Sequence, residues 1–129
     1  MPVQVELIDG AVGDLIRYAK SGNLPLFLQK LLRLEEEGKD AGYPLGRGLT
    51  NWRKLVVGDG DWRIIFSMDP DESVATLWAI GNRANAECYA EAQARVQSLE
   101  GARPETSSLA SVMFQLSQAQ RAARRRKKS

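Results

Sequence analysis

The chain has 129 residues, of which 43% are hydrophobic and 26% charged, which suits one domain with a hydrophobic core and leaves little room for a second. It has no histidine and one cysteine, Cys88, which excludes histidine-based catalysis, the usual zinc sites and an internal disulfide. No apolar run approaches the roughly 18 residues of a membrane span, and residues 1–10 lack the features of a secretory signal, so we expect a cytoplasmic protein without a membrane partner.

The net charge of +2 is unevenly distributed along the chain. Six of the 18 Lys and Arg residues lie in residues 121–128, where there is no acidic residue. Residues 1–120 therefore carry twelve cations against all 16 anions and are net acidic. A basic tail on an acidic body suggests an anionic partner, although a solvated tail without a specific role would have the same composition.

The first third of the sequence predicts a strand followed by a helical hairpin. Alternating apolar residues, Val3, Val5 and Leu7, indicate the strand. The first helix has apolar residues at helical spacing, Val12, Leu15, Ile16 and Ala19. The second helix starts after Asn23 and has one apolar stripe, Leu24, Phe27, Leu28, Leu31 and Leu32.

The middle of the sequence predicts a loop over residues 43–51 and then three strands. The strand segments, 52–57, 62–68 and 73–80, are rich in β-branched and aromatic residues. Strong turn sequences at 58–61 and 69–72 separate them, so the three strands should form an antiparallel meander. A helix is predicted over residues 84–99.

Gly101 and Pro104 indicate a hinge, after which an apolar stripe predicts a last helix, roughly over residues 107–124. We therefore divide the chain into a domain of residues 1–100 and a C-terminal helical extension with a basic tail, residues 101–129. The predicted class is α+β: an N-terminal helical hairpin packed on a small curved antiparallel sheet, with an extra C-terminal helix.

Four segments of the middle region occur in an ordered pattern. They are a basic strand (residues 54–58, KLVVG), an aromatic–arginine–aliphatic strand (61–66, DWRIIF), a strand ending in Gly-x-Arg (79–83, AIGNR), and Tyr89 six residues later. This set resembles the RelE/ParE superfamily of bacterial toxins. The resemblance implies a microbial ribonuclease-like toxin fold and a cognate antitoxin. For the RelE branch it also implies cleavage of mRNA in the ribosomal A site.

The residue types in this pattern suit RNA cleavage in which the 2′-hydroxyl attacks the adjacent phosphate. Such a reaction needs a base, cations for the phosphate oxygens and an acid for the leaving oxygen, but neither a metal nor a cofactor. A lysine among cations can be the base, arginine matches phosphate geometry, and an aromatic ring can stack on a splayed base. The candidate catalytic residues are Lys54, Arg63, Arg83 and Tyr89. The candidate RNA-binding residues are Arg47, Arg53, Arg124, Arg125, Arg126, Lys127 and Lys128.

Each candidate also has a structural interpretation, such as an Arg63 ion pair with Asp61 or Asp71, or Tyr89 as part of the core. The pattern also departs from the family at Val56, where RelE-like nucleases usually carry a second basic residue. Two alternatives to the nuclease therefore stay open. One is a ParE-like inhibitor that binds DNA gyrase without catalysis, and the other is a binding module of the same fold that has lost toxicity.

Overall fold

The structure is a computed structural model, and it describes residues 2–18, 22–46, 51–58, 62–82 and 87–127, with the side chains of 87, 119, 120 and 122–127 excepted. In chain order the elements are β1 (Gln4–Ile8), α1 (Asp9–Tyr18), α2 (Leu24–Glu37), a 3-10 turn (Gly38–Ala41), β2 (Tyr43–Pro44), β3 (Trp52–Val57), β4 (Trp62–Met68), β5 (Val74–Asn82), α3 (Glu87–Ser98), β6 (Thr106–Ser108) and α4 (Leu109–Lys127). The α+β class, the helical hairpin, the meander and the C-terminal helix are thus confirmed.

The strands form one sheet in the order β2-β3-β4-β5-β1-β6. Strands β3, β4 and β5 are the predicted antiparallel meander, but β1 pairs with β5 in parallel. The sheet is therefore mostly antiparallel, as predicted, and the pairing of β1 with β5 is the exception. The helical hairpin and strands β2, β3 and β4 lie between β1 and β5 in the chain, and β5 returns beside β1 in the same direction.

Two short edge strands were also missed by the sequence prediction. Tyr43–Pro44 pairs with β3 where a loop was predicted, and Thr106–Ser108 pairs with β1 before the last helix. Strands of two or three residues are too short to produce a periodic pattern. Pro44 is compatible with an edge strand because its missing N–H faces no further strand.

The sheet has a helical layer on each side. The Phe27 ring of α2 lies 5.6 Å from the Trp62 ring, so the hairpin covers the face to which Trp62 points. Adjacent residues of a strand point to opposite faces, and Arg63 contacts α3 through Tyr89. Helix α3 therefore lies on the opposite face of the sheet from the hairpin.

The segment after Pro104 is joined to the same sheet and core. Strand β6 pairs with β1, and Leu109, Val112 and Leu116 of α4 are buried in the main hydrophobic cluster. The sequence predicted only a helix here, and its apolar stripe lies in the core. The division into a domain of residues 1–100 and an extension of residues 101–129 stays a prediction. Among the described residues, no helix has the length and apolar character that crossing a bilayer requires.

Candidate active site

Two of the predicted catalytic cations lie on one face of the sheet. Arg63 of β4 lies opposite Val56 of β3 and Gly81 of β5. Lys54 lies opposite Ile65 on the same pair of strands. Residues directly opposite in an antiparallel pair project to the same side, so Lys54 and Arg63 share a face. As diagonal neighbours their Cβ atoms are roughly 7 Å apart, close enough for both side chains to contact one phosphate.

Helix α3 brings Tyr89 to this face. The Nη1 atom of Arg63 donates a hydrogen bond to the Tyr89 hydroxyl oxygen at 3.1 Å, and both side chains are partly buried. The two residues are 26 positions apart in the chain. The structure therefore brings Arg63 and Tyr89, two of the candidate catalytic residues, into direct contact.

Gly81 allows α3 to approach the sheet this closely. A Cβ atom built on Gly81 would lie 2.5 Å from the Cβ of Cys88, a distance that packed side chains do not tolerate. Because Cys88 precedes Tyr89, a side chain at Gly81 would push the tyrosine away from Arg63. The glycine of the Gly-x-Arg segment is thus needed for close packing, and its backbone conformation is an ordinary one. Burial raises the pKa of the Cys88 thiol, as expected for a small apolar side chain in the core.

Arg53 lies on the other face of β3 from Lys54, as the sequence predicted. Its guanidinium donates hydrogen bonds to the carbonyl oxygens of Lys39 and Gly42, at 2.9 and 3.0 Å. These bonds hold the 3-10 turn and the start of β2 against the sheet. Its predicted role in RNA binding gains no support from this position, and we do not include Arg53 in the candidate site.

Several predicted residues lie outside the described part of the chain or are described only as backbone. Arg83, Arg47 and Lys128 are outside the described residues. The backbone of Arg124, Arg125, Arg126 and Lys127 belongs to α4, but their side chains are not described. Their predicted roles therefore stay predictions. Strand β5 ends at Asn82, which pairs with Trp62 next to Arg63, so the chain leaves the sheet beside the candidate site.

A buried ion pair that sequence analysis missed lies beside this end of β5. Two contacts join the Arg95 guanidinium to the Asp14 carboxylate, at 2.7 and 3.2 Å, and the Asp14 side chain is only 4% exposed. The carboxylate also accepts the backbone N–H of Ile80, while Arg95 donates to the carbonyl of Trp78. The hydrogen bonds to Asp14 raise the pKa of Arg95 further above its already high ordinary value.

This ion pair occupies the edge of β5 where β1 ends. Strand β1 pairs with β5 only as far as Leu77, and the backbone groups of the next residues would otherwise lack strand partners on that side. Asp14 supplies an acceptor and Arg95 a donor for them, which joins α1, β5 and α3. The sequence signal was weak: Asp14 lies next to Leu15 on the apolar side of α1, where a carboxylate is unusual.

Other possible sites do not coincide with these residues. A surface cavity of about 320 Å³ lies between α2 and the end of β3, and Lys30, Arg33 and Gly58 are among its lining residues. It contains none of the predicted site residues that the structure describes. No group of three or more His, Cys, Asp or Glu side chains that could hold a metal ion occurs among the described residues.

Solved structures that are similar to this chain include two toxins. One is a double arginine-to-alanine mutant of the Escherichia coli toxin RelE in the free state, with a TM-score of 0.60 and 20% sequence identity, covering 74% of this chain and 99% of the other. The other is from the toxin–antitoxin complex RelBE2 of Mycobacterium tuberculosis, with a TM-score of 0.53 and 20% identity, covering 64% of this chain and 100% of the other. No family model and no curated protein sequence matches the chain. The chain therefore has the RelE-like toxin fold, and about a quarter of it lies outside the longer match.

Proposed function

We propose that this protein is the toxin of a toxin–antitoxin pair and that it cleaves mRNA on the ribosome. The observation that carries the proposal is the hydrogen bond between Arg63 and Tyr89, formed on the sheet face that also carries Lys54. This places three of the four predicted catalytic residues on one face, in the fold of two toxin structures. Because its proposed substrate, mRNA on the ribosome, and a cognate antitoxin are both found in the cytoplasm, we propose that the protein acts there.

The geometry suits cleavage by the RNA's own 2′-hydroxyl. Lys54 accepts the 2′-hydroxyl proton, and the oxygen attacks the adjacent phosphorus to form a 2′,3′-cyclic phosphate. The bond from phosphorus to the 5′-oxygen breaks, and that oxygen takes a proton from an acid of the site or from water. Arg63 neutralises the phosphate oxygens, held in place by the Tyr89 hydroxyl, and the tyrosine ring stacks on a splayed base.

Primer extension on mRNA after controlled induction, with and without translation, tests the proposal. The wild-type protein should produce cuts that depend on translation, and Arg63→Ala should remove most of them. The loss of a donor to the transition state costs about 100- to 1000-fold in rate. Tyr89→Phe should reduce cleavage less, because it retains the ring. Arg33→Gln, an exposed cation of α2 that pairs with Glu37, is the control and should cleave like wild type. Full toxicity from a folded Arg63→Ala protein would remove Arg63 from the site.

Two observations favour a second function, a ParE-like inhibitor that binds DNA gyrase. Val56 lies directly opposite Arg63, where RelE-like nucleases usually carry a cation, and residues 1–120 are net acidic. An inhibitor of this kind would leave mRNA intact, block supercoiling by purified gyrase and induce a DNA-damage response. If the protein does neither and still binds an antitoxin, it is a binding module that has lost toxicity.

A further inference from the structure

The buried side chains that the structure describes in helix α4 all lie in its first half. Leu109, Val112 and Leu116 are 2%, 0% and 8% exposed, and β6 directly before the helix pairs with β1. After Leu116, none of the described side chains of the helix is buried. The helix nevertheless continues to Lys127, and these last 11 residues extend roughly 16 Å at 1.5 Å per residue.

The outward side of α4 combines an exposed aromatic ring with cations. Phe114 is 63% exposed, the largest exposure among the large hydrophobic residues that the structure describes. Gln118, Arg121 and Arg125 follow it at i+4, i+7 and i+11, positions that lie on one side of an α-helix. Gln118 and Arg121 are also exposed. This outward stripe, Phe114–Gln118–Arg121, lies away from the buried stripe Leu109–Val112–Leu116.

The charge of this region has one sign. Residues 121–128 contain six cations, and no acidic residue follows Glu105 in the sequence. Four of the six are arginines, whose planar guanidinium matches phosphate geometry. Apart from Phe114, the outward stripe offers no apolar residue. Protein partners usually bury an apolar centre depleted in charge, whereas nucleic-acid interfaces are strongly basic.

We propose that the outward stripe of α4 binds the phosphate backbone of RNA, with Phe114 stacking on an unpaired base. The proposal rests on the proposed function, which makes RNA on the ribosome the relevant polyanion. The start of α4 lies apart from the candidate active site. Ser108, where β6 passes into α4, lies at the level of Thr76, and Arg63 lies opposite Gly81, roughly 16 Å further along β5 and three strands away. Contacts of the helix with the phosphate backbone add affinity for RNA that does not depend on the base sequence at the cleaved phosphate.

Binding to a 2′-O-methyl RNA oligonucleotide tests the proposal without cleavage, because this probe has no free 2′-hydroxyl. The dissociation constant is measured for the full chain between about 50 and 200 mM salt, where phosphate contacts dominate the salt dependence. The variants are a chain ending at residue 120, Arg121→Gln and Phe114→Ala. The charge-matched control is Arg33→Gln on α2, and thermal melts verify that each variant is folded.

The slope is the steepness with which log affinity decreases as log salt concentration rises. It should become smaller by about 0.7 for each phosphate of a single strand that the protein no longer neutralises. Arg121→Gln should therefore lower the slope by about 0.7, and the chain ending at residue 120 by up to about 4. Phe114→Ala should weaken binding by roughly 5- to 150-fold, as for one stacked base, with the slope unchanged. Arg33→Gln should bind and respond to salt like wild type.

An unchanged affinity and slope in the folded chain ending at residue 120 would overturn the proposal. So would a truncation that weakens binding to the purified antitoxin and leaves RNA binding intact, because the surface would then be a protein interface. Failure of the proposed function has a different signature. In that case induction gives no translation-dependent cuts, whatever the α4 variants do to oligonucleotide binding.

Discussion

Val56 is the residue at which the candidate site departs from the nuclease pattern, and its position is now defined. It is half-buried, lies directly opposite Arg63, and is two residues from Lys54 on the same face. A cation at this position would lie between the two existing ones. A third cation on this face would also help to stabilise the negative charge that develops on the phosphate oxygens in the transition state.

We expect Val56→Lys to raise the rate of RNA cleavage and to lower stability slightly. Like charges directly opposite in a sheet destabilise it by roughly 0.2–1 kcal/mol. Cleavage assays and urea melts of Val56→Lys and of the apolar control Val56→Leu would measure both effects. If folded Val56→Lys cleaves no faster than Val56→Leu, then a second cation on β3 is not what limits this site.

Cys88 gives a prediction about alkaline stability. Its folded-state pKa is raised by burial, so above the ordinary value near 9.0 the unfolded chain loses a proton that the folded chain retains. This thiol therefore favours folding below pH 9, and its contribution is lost as the pH rises toward the folded-state pKa. The free energy of unfolding of wild type should fall relative to that of Cys88→Ala above pH 9, while the difference stays constant below pH 8. Parallel curves over the whole range would contradict this assignment.

At the scale of elements, the Asp14–Arg95 ion pair helps to position α3 on the sheet. It attaches α3 to α1 and to the unpaired edge of β5, one turn and a half after Tyr89 in the same helix. The contact between Tyr89 and Arg63 depends on the placement of α3. This ion pair therefore positions a candidate catalytic residue without itself facing the site.

We expect Arg95→Met to cost about 3–5 kcal/mol, because it leaves the Asp14 carboxylate buried without its main partner. Asp14→Asn with Arg95→Met should cost less than the sum of the two single changes, since the pair is then neutral on both sides. The matched control is Arg33→Met, which breaks an exposed pair with Glu37 and should cost no more than about 1 kcal/mol. Additive effects in denaturant melts would show that the two residues are not coupled.

At the scale of the whole molecule, the C-terminal segment has two halves with different roles. Residues up to Leu116 complete the sheet edge and the core, while the rest of α4 extends beyond any buried side chain that the structure describes. The basic tail is thus attached to a helix that is fixed at its start.

Deleting residues 105–129 should unfold the domain or make it aggregate. The deletion removes β6 and the burial of Leu109, Val112 and Leu116, each worth about 1.5–3 kcal/mol. Together this is comparable with the whole stability of a small domain, about 5–15 kcal/mol. A chain ending at residue 120 keeps the three leucine and valine side chains in the core and should melt close to wild type. Thermal melts of both chains would measure the difference, and a stable protein lacking residues 105–129 would contradict the importance of the three buried residues.

Local patterns in the sequence were enough to predict the elements in which neighbouring residues act together. Strands β3 and β4 have the predicted bounds, because alternation and turn residues act between neighbours in the chain. The shared face of Lys54 and Arg63 depends on the register between β3 and β4, which the period of each strand alone does not specify. Gly81 and Tyr89 were recognised only through the ordered set of motifs, and the candidate roles of Arg83 and Arg47 stay predictions from the sequence.

Contacts between residues far apart in the chain became visible only in the three-dimensional fold. The parallel pairing of β1 with β5, the short strands β2 and β6, and the ion pair of Asp14 with Arg95 each join segments whose own patterns do not indicate the partner. The unpaired N–H and C=O groups at the edge of a strand need hydrogen-bond partners, but many different side chains could provide them. The sequence of β5 therefore does not specify that Asp14 and Arg95 are the partners. The apolar stripe of α4 was visible in the sequence, but its burial in this core depended on where β6 paired.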